Sequence, residues 1–179
     1  MRDRYGWGLI ILHWLTLLLI VAAFGLGQYL EDLPLSPTKL KLYSWHKWLG
    51  ITVLLLLPLR MLLRGLERLD HAQGLTPLEA QASRLVHGML YLLMLAIPLT
   101  GWLHSSAAGF PVVWLGLLPL PDLVDKDKAL AELFAELHRG GVNLLAILVV
   151  LHAAAAIYHH HVRRDGVLTR MAPWARKKT

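Results

Sequence analysis

The sequence predicts an all-α protein, an integral membrane bundle of four helices in a single domain over residues 1–179. Two observations predict it. The chain is 56% hydrophobic and only 17% charged, whereas a soluble domain has about 45–50% apolar and about 25% charged residues. It also contains four long stretches with few or no charged residues, and about 20 apolar helical residues cross a bilayer. The length of 179 residues suits one such domain.

The four predicted spans cover approximately residues 6–29, 43–63, 85–104 and 139–162. The first and third contain no Asp, Glu, Lys or Arg, and the fourth contains only Arg139, at its outer end. The second contains Lys47 and Arg60 close to its two ends, where long basic side chains reach the membrane surface. Pro58 and Pro98 lie within spans, which membrane helices tolerate. The first apolar run exceeds the roughly 7–15 residues of a signal peptide, so we expect it to be retained.

The longest connection is an outer loop over residues 105–137, which is rich in glycine and proline and then acidic. Its apolar part is too short to cross the membrane, so we expect it to lie in the interface or to fold over the helix ends. A short amphipathic helix over Lys128–Leu137 is expected to lead into the fourth span.

The net charge of +6 is unevenly distributed along the chain. The side that carries both termini holds twelve of the eighteen basic residues: Arg2, Arg4, Arg60, Arg64, Arg68, Arg84, Arg163, Arg164, Arg170, Arg176, Lys177 and Lys178. By the positive-inside rule, both termini are cytoplasmic. The positive charge therefore indicates orientation and contact with anionic lipids of the bilayer, and we expect no nucleic acid partner.

Ten histidines are the most unusual feature of so apolar a chain. Ionisable side chains inside spans indicate function by default. His13 and His152 lie toward the cytoplasmic side, whereas His46 and His138 open spans two and four at the outer side. The fourteen residues from His138 to His152 rise about 21 Å and turn about 1400°, within roughly 40° of four full revolutions. Both rings therefore project from one helix face, one near each leaflet.

Two b-type haems stacked across a membrane need this arrangement, with an imidazole from each of two facing helices. Iron bound by two neutral imidazoles is coordinatively saturated, which suits electron transfer. The depths favour His13 with His152 and His46 with His138. His87 remains an alternative to His13 or His152, and His104 to His46 or His138. Zero cysteine excludes disulfides, iron–sulfur clusters and covalently attached haem.

Other features of the sequence are less decisive. Small residues cluster where porphyrins would need room, although small residues also mediate ordinary helix packing in membranes; they are Gly25, Gly27, Gly50, Gly140, Gly141 and Ala153–Ala156. His71 is expected to be solvated in a cytoplasmic loop. His159, His160 and His161 are expected to relay protons, to bind a metal loosely or to mark the interface.

Five short motifs run in order through essentially the whole chain: LHWL, SWHKWLGI, RLVHGMLYLLMLAIPLTGW, ELHRGGVN and VLHAAAAIYHHHVRRDGVLTRMAP. Together they resemble the stand-alone bacterial cytochrome b561 family. That family is similar in fold to the cytochrome b subunits of membrane hydrogenases and formate dehydrogenases, which hold two haems in a four-helix bundle and exchange electrons with quinone. The resemblance implies a multi-pass protein of the bacterial inner membrane.

The resemblance also implies a ligand set and partners. His13 and His152 would ligate the cytoplasmic-side haem, His46 and His138 the outer haem, and His87 becomes a second-choice ligand. Ubiquinone or menaquinone would be the electron partner of this oxidoreductase, and superoxide is the donor ascribed to the stand-alone branch. We expect Lys47 and Arg139 to contact haem propionates and to attract a small anionic donor.

A quinone needs an apolar slot with a few polar groups. Ala153 beside His152, with His159, His160 and Arg163 at the lip, supplies one on the cytoplasmic side. Two other functions compete with this interpretation. A cytochrome b subunit would dock a hydrogenase or dehydrogenase on its outer face. A metal or proton transporter is disfavoured, because no Asp or Glu lies inside any predicted span.

Overall fold

The computed structural model describes residues 4–67, 75–172 and 174–175. Four helices run in chain order: α1 (Trp7–Asp32), α2 (Pro37–Leu66), α3 (Pro77–Ala107) and α4 (Lys128–Tyr158). All four are long and apolar enough to cross a membrane, α4 together with the turn that follows it. The predicted all-α membrane bundle is confirmed.

The helices extend beyond the predicted spans because polar residues begin them outside the apolar stretch. The side chains of Ser36, Thr76 and Asp127 each accept a hydrogen bond from a backbone N–H in the first turn of α2, α3 and α4. At α3 the cap is reciprocal, since Glu79 bonds back to Thr76. The predicted amphipathic segment from Lys128 forms the first turns of α4. Hydropathy therefore indicates only the part of each helix that lies in lipid.

The bundle is packed as a chain of neighbours, with α1 against α2, α2 against α3 and α3 against α4. Leu93, Ile97, Leu145 and Leu148 form the apolar cluster between α3 and α4. A second cluster joins Val53 and Leu57 of α2 to Met94 of α3. Within the described residues, the backbone of α4 does not run closely beside that of α1 or that of α2. Space therefore remains between α4 and the α1–α2 pair.

At one end of the bundle, here called the loop end, residues 108–127 connect α3 to α4. They contain a small antiparallel hairpin of β1 (Val113–Trp114) and β2 (Leu118–Pro119). The indole N–H groups of Trp48 and Trp102 donate to the carbonyls of Val113 and Pro121, at 2.7 and 3.1 Å. These bonds fold the loop over the ends of α2 and α3.

The opposite end, where α1 begins and α4 ends, is called the termini end. The α4 axis continues into a π-helical turn over His159–Arg163 and then a short 3₁₀ helix over Leu168–Arg170. The indole N–H of Trp14 donates to the Met171 carbonyl at 2.8 Å, which ties the C-terminal segment to α1. His71, with Arg2, Arg68, Arg176, Lys177 and Lys178, lies outside the described residues.

Candidate functional site

His46 of α2 and His138 of α4 face each other toward the loop end and form the loop pair. Their ring centroids are 6.1 Å apart, with an angle of 72° between the ring planes. Nδ1 of His46 lies 3.0 Å from the Ala23 carbonyl, and Nδ1 of His138 lies 2.9 Å from the Ile97 carbonyl. Because a carbonyl only accepts, each Nδ1 carries the hydrogen and each Nε2 keeps its lone pair for a metal.

His13 of α1 and His152 of α4 form the terminal pair, with ring centroids 6.2 Å apart and planes at 54°. Nδ1 of His13 lies 2.9 Å from a guanidinium nitrogen of Arg60. His87 of α3 also approaches, with its ring centroid 5.1 Å from that of His152. Its own Nδ1 bonds to the Ser83 carbonyl at 2.7 Å. The structure therefore brings three of the predicted histidines together at this level.

The ring separations of both pairs suit a metal held between two imidazoles. An imidazole nitrogen lies about 2 Å from a bound metal ion, as it does for zinc, so roughly 6 Å separates two ring centroids on opposite sides of one ion. The helices that carry each pair, α4 with α1 and α4 with α2, do not run closely side by side in the described residues, as a flat macrocycle between them would require. A Cβ added at the partly buried Gly50, one turn from His46, would meet no atom within 4 Å. The residues fit haem bound through two histidines.

Two glycines lie directly against the loop pair. A Cβ added at Gly27 would approach Cε1 of His46 to 3.2 Å, and one at Gly101 would approach Cε1 of His138 to 3.1 Å. Gly27 belongs to the small-residue cluster that the sequence indicated, but Gly101 was missed. Gly101 lies four residues after Ile97, whose carbonyl bonds to His138, and therefore on the same face of α3. This position indicates a role only once the packing of α3 against α4 is known.

We expect Gly101→Ala to weaken haem binding at the loop pair by about 1–3 kcal/mol, because the added methyl group pushes the His138 ring off its bond to Ile97. Haem content and the absorption of the reduced protein report the loss. Gly65→Ala is the matched control, since a Cβ there meets no atom within 4 Å. Equal haem content in both variants would contradict this prediction.

The remaining predicted residues of the loop end have other partners. Nζ of Lys47 lies 3.4 Å from the carbonyls of Phe110 and Pro111. Arg139 bonds to Glu136 at 3.1 Å on the exposed side of α4. Nδ1 of His104 lies 2.9 Å from the Ala131 carbonyl, and the ring lines a cavity of about 310 Å³ with Arg139. In the described part of the chain, His104 makes no ring contact with the loop pair.

The predicted quinone residues lie along the last turns of α4. Ala153 is exposed directly after His152. His159 and His160 begin the π-helical turn, and Nδ1 of His159 bonds to the carboxylate of Asp165 at 2.5 Å. Arg163 lies 3.4 Å from the Glu79 carboxylate.

Sequence reasoning missed the two acidic partners of this region. Arg164 adopts a left-handed conformation, with φ of 56°, that turns the chain back toward His159. Asp165 is six residues from its partner and Glu79 is 84 residues from Arg163. The first pairing depends on that turn and the second on the contact between α3 and α4.

Comparison with known proteins agrees with this geometry. A family profile described as prokaryotic cytochrome b561 matches residues 4–174. The chain is similar to cytochrome b561 homolog 1 of Escherichia coli K12, with 30% identity over 96% of this chain and 98% of the relative. Homolog 2 of the same organism is 30% identical over 94% of this chain and 91% of the relative. A probable superoxide oxidase CybB of Yersinia pestis is 28% identical over 97% and 98% of the two chains.

The match covers nearly the whole chain, and four helices long and apolar enough to span a membrane are consistent with the helical bundle of this family. The family implies b-type haem and a multi-pass place in a bacterial membrane. The chain belongs to the prokaryotic cytochrome b561 family of membrane electron-transfer proteins.

Proposed function

We propose that this protein holds two haem b groups and passes electrons from a donor at the loop end to a quinone at the termini end. One observation carries the proposal: two imidazole pairs lie at different depths, with centroids 6.1 and 6.2 Å apart, and both use α4. The spacing of fourteen positions from His138 to His152 separates the pairs by about 21 Å along the helix. Within the inner membrane, we assign the termini end to the cytoplasm from the distribution of basic residues.

Haem b, when bound, accepts and releases single electrons without changing its two ligands. The chain holds the rings in place for this role. His46 and His138 donate their Nδ1 hydrogens to carbonyls of α1 and α3, so each ring is fixed by a helix other than its own. Such bonds fix the ring orientation and raise the basicity of the ligand nitrogen.

The donor that we propose is superoxide, for which the name of the Yersinia pestis relative is the support. Lys47 follows His46 and Arg139 follows His138 in the sequence, and these are the two cations that we propose would attract superoxide. Cations attract a small anion and raise its local concentration. Lys47 and Arg139 are also our proposed contacts for the haem propionates.

Two superoxide anions give up two electrons and leave as dioxygen. The quinone takes these two electrons and two protons from the cytoplasm and becomes quinol. The acceptor, ubiquinone or menaquinone, has a flat apolar ring with two carbonyls.

We place the quinone beside Ala153. This exposed small residue follows His152, and no described residue hydrogen-bonds to the ring nitrogens of His152. His159, held by the Asp165 carboxylate, is suited to move protons, and Arg163 lies on the same turn. An apolar surface with a proton carrier at its edge meets the needs of quinone reduction.

The test is rapid mixing of the oxidised protein in detergent with superoxide, with and without added ubiquinone. We expect the reduced haem bands to appear with superoxide alone and to decay when quinone is present. A protein without haem absorption would overturn the whole proposal. A red protein that superoxide fails to reduce would favour the alternative, a cytochrome b subunit that docks a hydrogenase or dehydrogenase.

A substitution locates the quinone in the same assay. We expect Ala153→Phe to slow quinone reduction about tenfold, equivalent to about 1.4 kcal/mol, because the ring fills the slot. Ala155→Phe, exposed on another face of α4, is the matched control. Equal rates in the two variants would exclude this location while leaving the haem assignment intact.

A further inference from the structure

Arg60 of α2 is a charged side chain that lies partly buried at the level of the terminal pair. One guanidinium nitrogen is 2.9 Å from Nδ1 of His13. Nε is 3.3 Å from the hydroxyl of Tyr91, and the guanidinium lies over the Tyr91 ring at 5.6 Å. The group is therefore held between α1 and α3.

The charge of Arg60 has no acidic partner among the described residues. Ion pairs in that part of the chain involve other side chains, at the loop end or at the end of α4. Arginine stays protonated in proteins. A cation inside the bilayer is costly and its retention indicates function.

The two histidine pairs consequently differ in charge. In the loop pair, both Nδ1 atoms face carbonyl oxygens, the negative ends of backbone dipoles. The two cations nearest in sequence have other partners: Lys47 lies against the carbonyls of Phe110 and Pro111, and Arg139 pairs with the Glu136 carboxylate. In the terminal pair, Nδ1 of His13 faces a full positive charge instead.

We propose that Arg60 sets the direction of electron transfer by raising the reduction potential at the terminal pair above that at the loop pair. This inference rests on the proposed function, in which each pair holds one haem. A nearby cation favours the reduced state, because the gained electron cancels positive charge at the metal. The hydrogen bonds from Nδ1 of His46 and His138 to backbone carbonyls lower the reduction potential at the loop pair, since they make the two imidazoles better electron donors.

The effect does not depend on one hydrogen bond. If Nδ1 of His13 carries the hydrogen in the metal-bound ring, the guanidinium turns toward Tyr91, which already contacts it. The positive charge then stays close to His13, and electrostatic influence in a low-dielectric site acts over several ångströms. Arg60 thus acts on the reduction potential through its charge and is not itself a ligand.

The experiment is a redox titration of the purified protein, followed by the reduced haem absorption. We expect Arg60→Gln to lower the potential at the terminal pair by about 59 mV or more, which is a tenfold change for a one-electron couple. The loop pair should keep its potential, because it lies about 21 Å away along α4. Arg60→Lys, which keeps a charge, should lower the potential less.

Arg64→Gln is the matched control. Arg64 lies one turn further along α2, and its guanidinium is 5.2 Å from the ring of Tyr5. The control removes the same charge from the same helix and should leave both potentials close to wild type. Arg60→Met, of similar length, replaces Arg60→Gln if that variant does not fold, and retained haem content shows that each variant is intact.

Two kinds of failure are distinguishable. A wild-type protein with one haem would overturn the proposed function itself. Two haems whose potentials do not respond to loss of Arg60, or respond equally, would overturn this inference alone. A rise in potential at the terminal pair would also overturn it. The step that disappears in a variant without His138 identifies the loop pair.

Discussion

His138→Ala is expected to remove the haem at the loop pair and to leave one haem per chain. His138 is the α4 half of the pair, and its ring is fixed by the Ile97 carbonyl at 2.9 Å. Alanine removes the nitrogen ligand and leaves a gap of one imidazole. Haem held through a single histidine has an open coordination position and binds less tightly. The terminal pair, about 21 Å along α4, should keep its haem.

The measurement is haem per chain after extraction, which should fall from about two to about one. A redox titration should lose the step of the loop pair at the same time. His104→Ala is the matched control, because His104 lies at the same end of the bundle but bonds to Ala131 on α4. Full haem content in His138→Ala, or equal loss in His104→Ala, would show that the ligand set is different.

The pairing of histidines on α4 is the part of the candidate site that sequence spacing predicts best. The spacing of fourteen positions from His138 to His152 places both rings on one face because it spans nearly four helical turns. That inference needs only helix geometry, which the bilayer enforces since backbone groups in lipid must bond internally. The structure brings His13 and His46 to these two rings. Their role as ligands stays a prediction.

The groups that orient the rings were not predictable from the sequence. Ala23 and Ile97 act through backbone carbonyls, which every residue carries, so their side chains give no signal. Arg60 was interpreted only as a residue at the membrane surface, and its contact with His13 depends on how α2 packs on α1. The partners of His159 and Arg163 likewise follow from a turn and a helix contact.

The second large effect concerns the terminal pair, where the rings of both His13 and His87 lie close to that of His152. We expect His13→Ala to remove the haem at this pair and His87→Ala to leave it in place. His87 lies 5.1 Å from His152, ring centroid to centroid, whereas His13 lies at 6.2 Å. The longer distance is the one that suits a metal between two imidazoles, for which roughly 6 Å is needed.

Helix packing supports the same choice. His87 lies on α3, which packs closely along α4 through Leu93, Ile97, Leu145 and Leu148. A porphyrin between α3 and α4 would have to displace this cluster. His13 lies on α1, which does not run closely beside α4 in the described part of the chain. We therefore expect His87 to lie next to His152 without being the second ligand across the haem.

Haem content decides between the two residues. His13→Ala should bind about one haem per chain and His87→Ala about two. His13→Gly provides a further check, because added imidazole can enter the space of the missing ring and restore the spectrum only where a ligand was lost. If His87→Ala loses haem while His13→Ala keeps it, His87 and His152 form the pair. In that case α3 and α4 must separate on haem binding, and the contact of Arg60 with His13 would no longer act on a ligand.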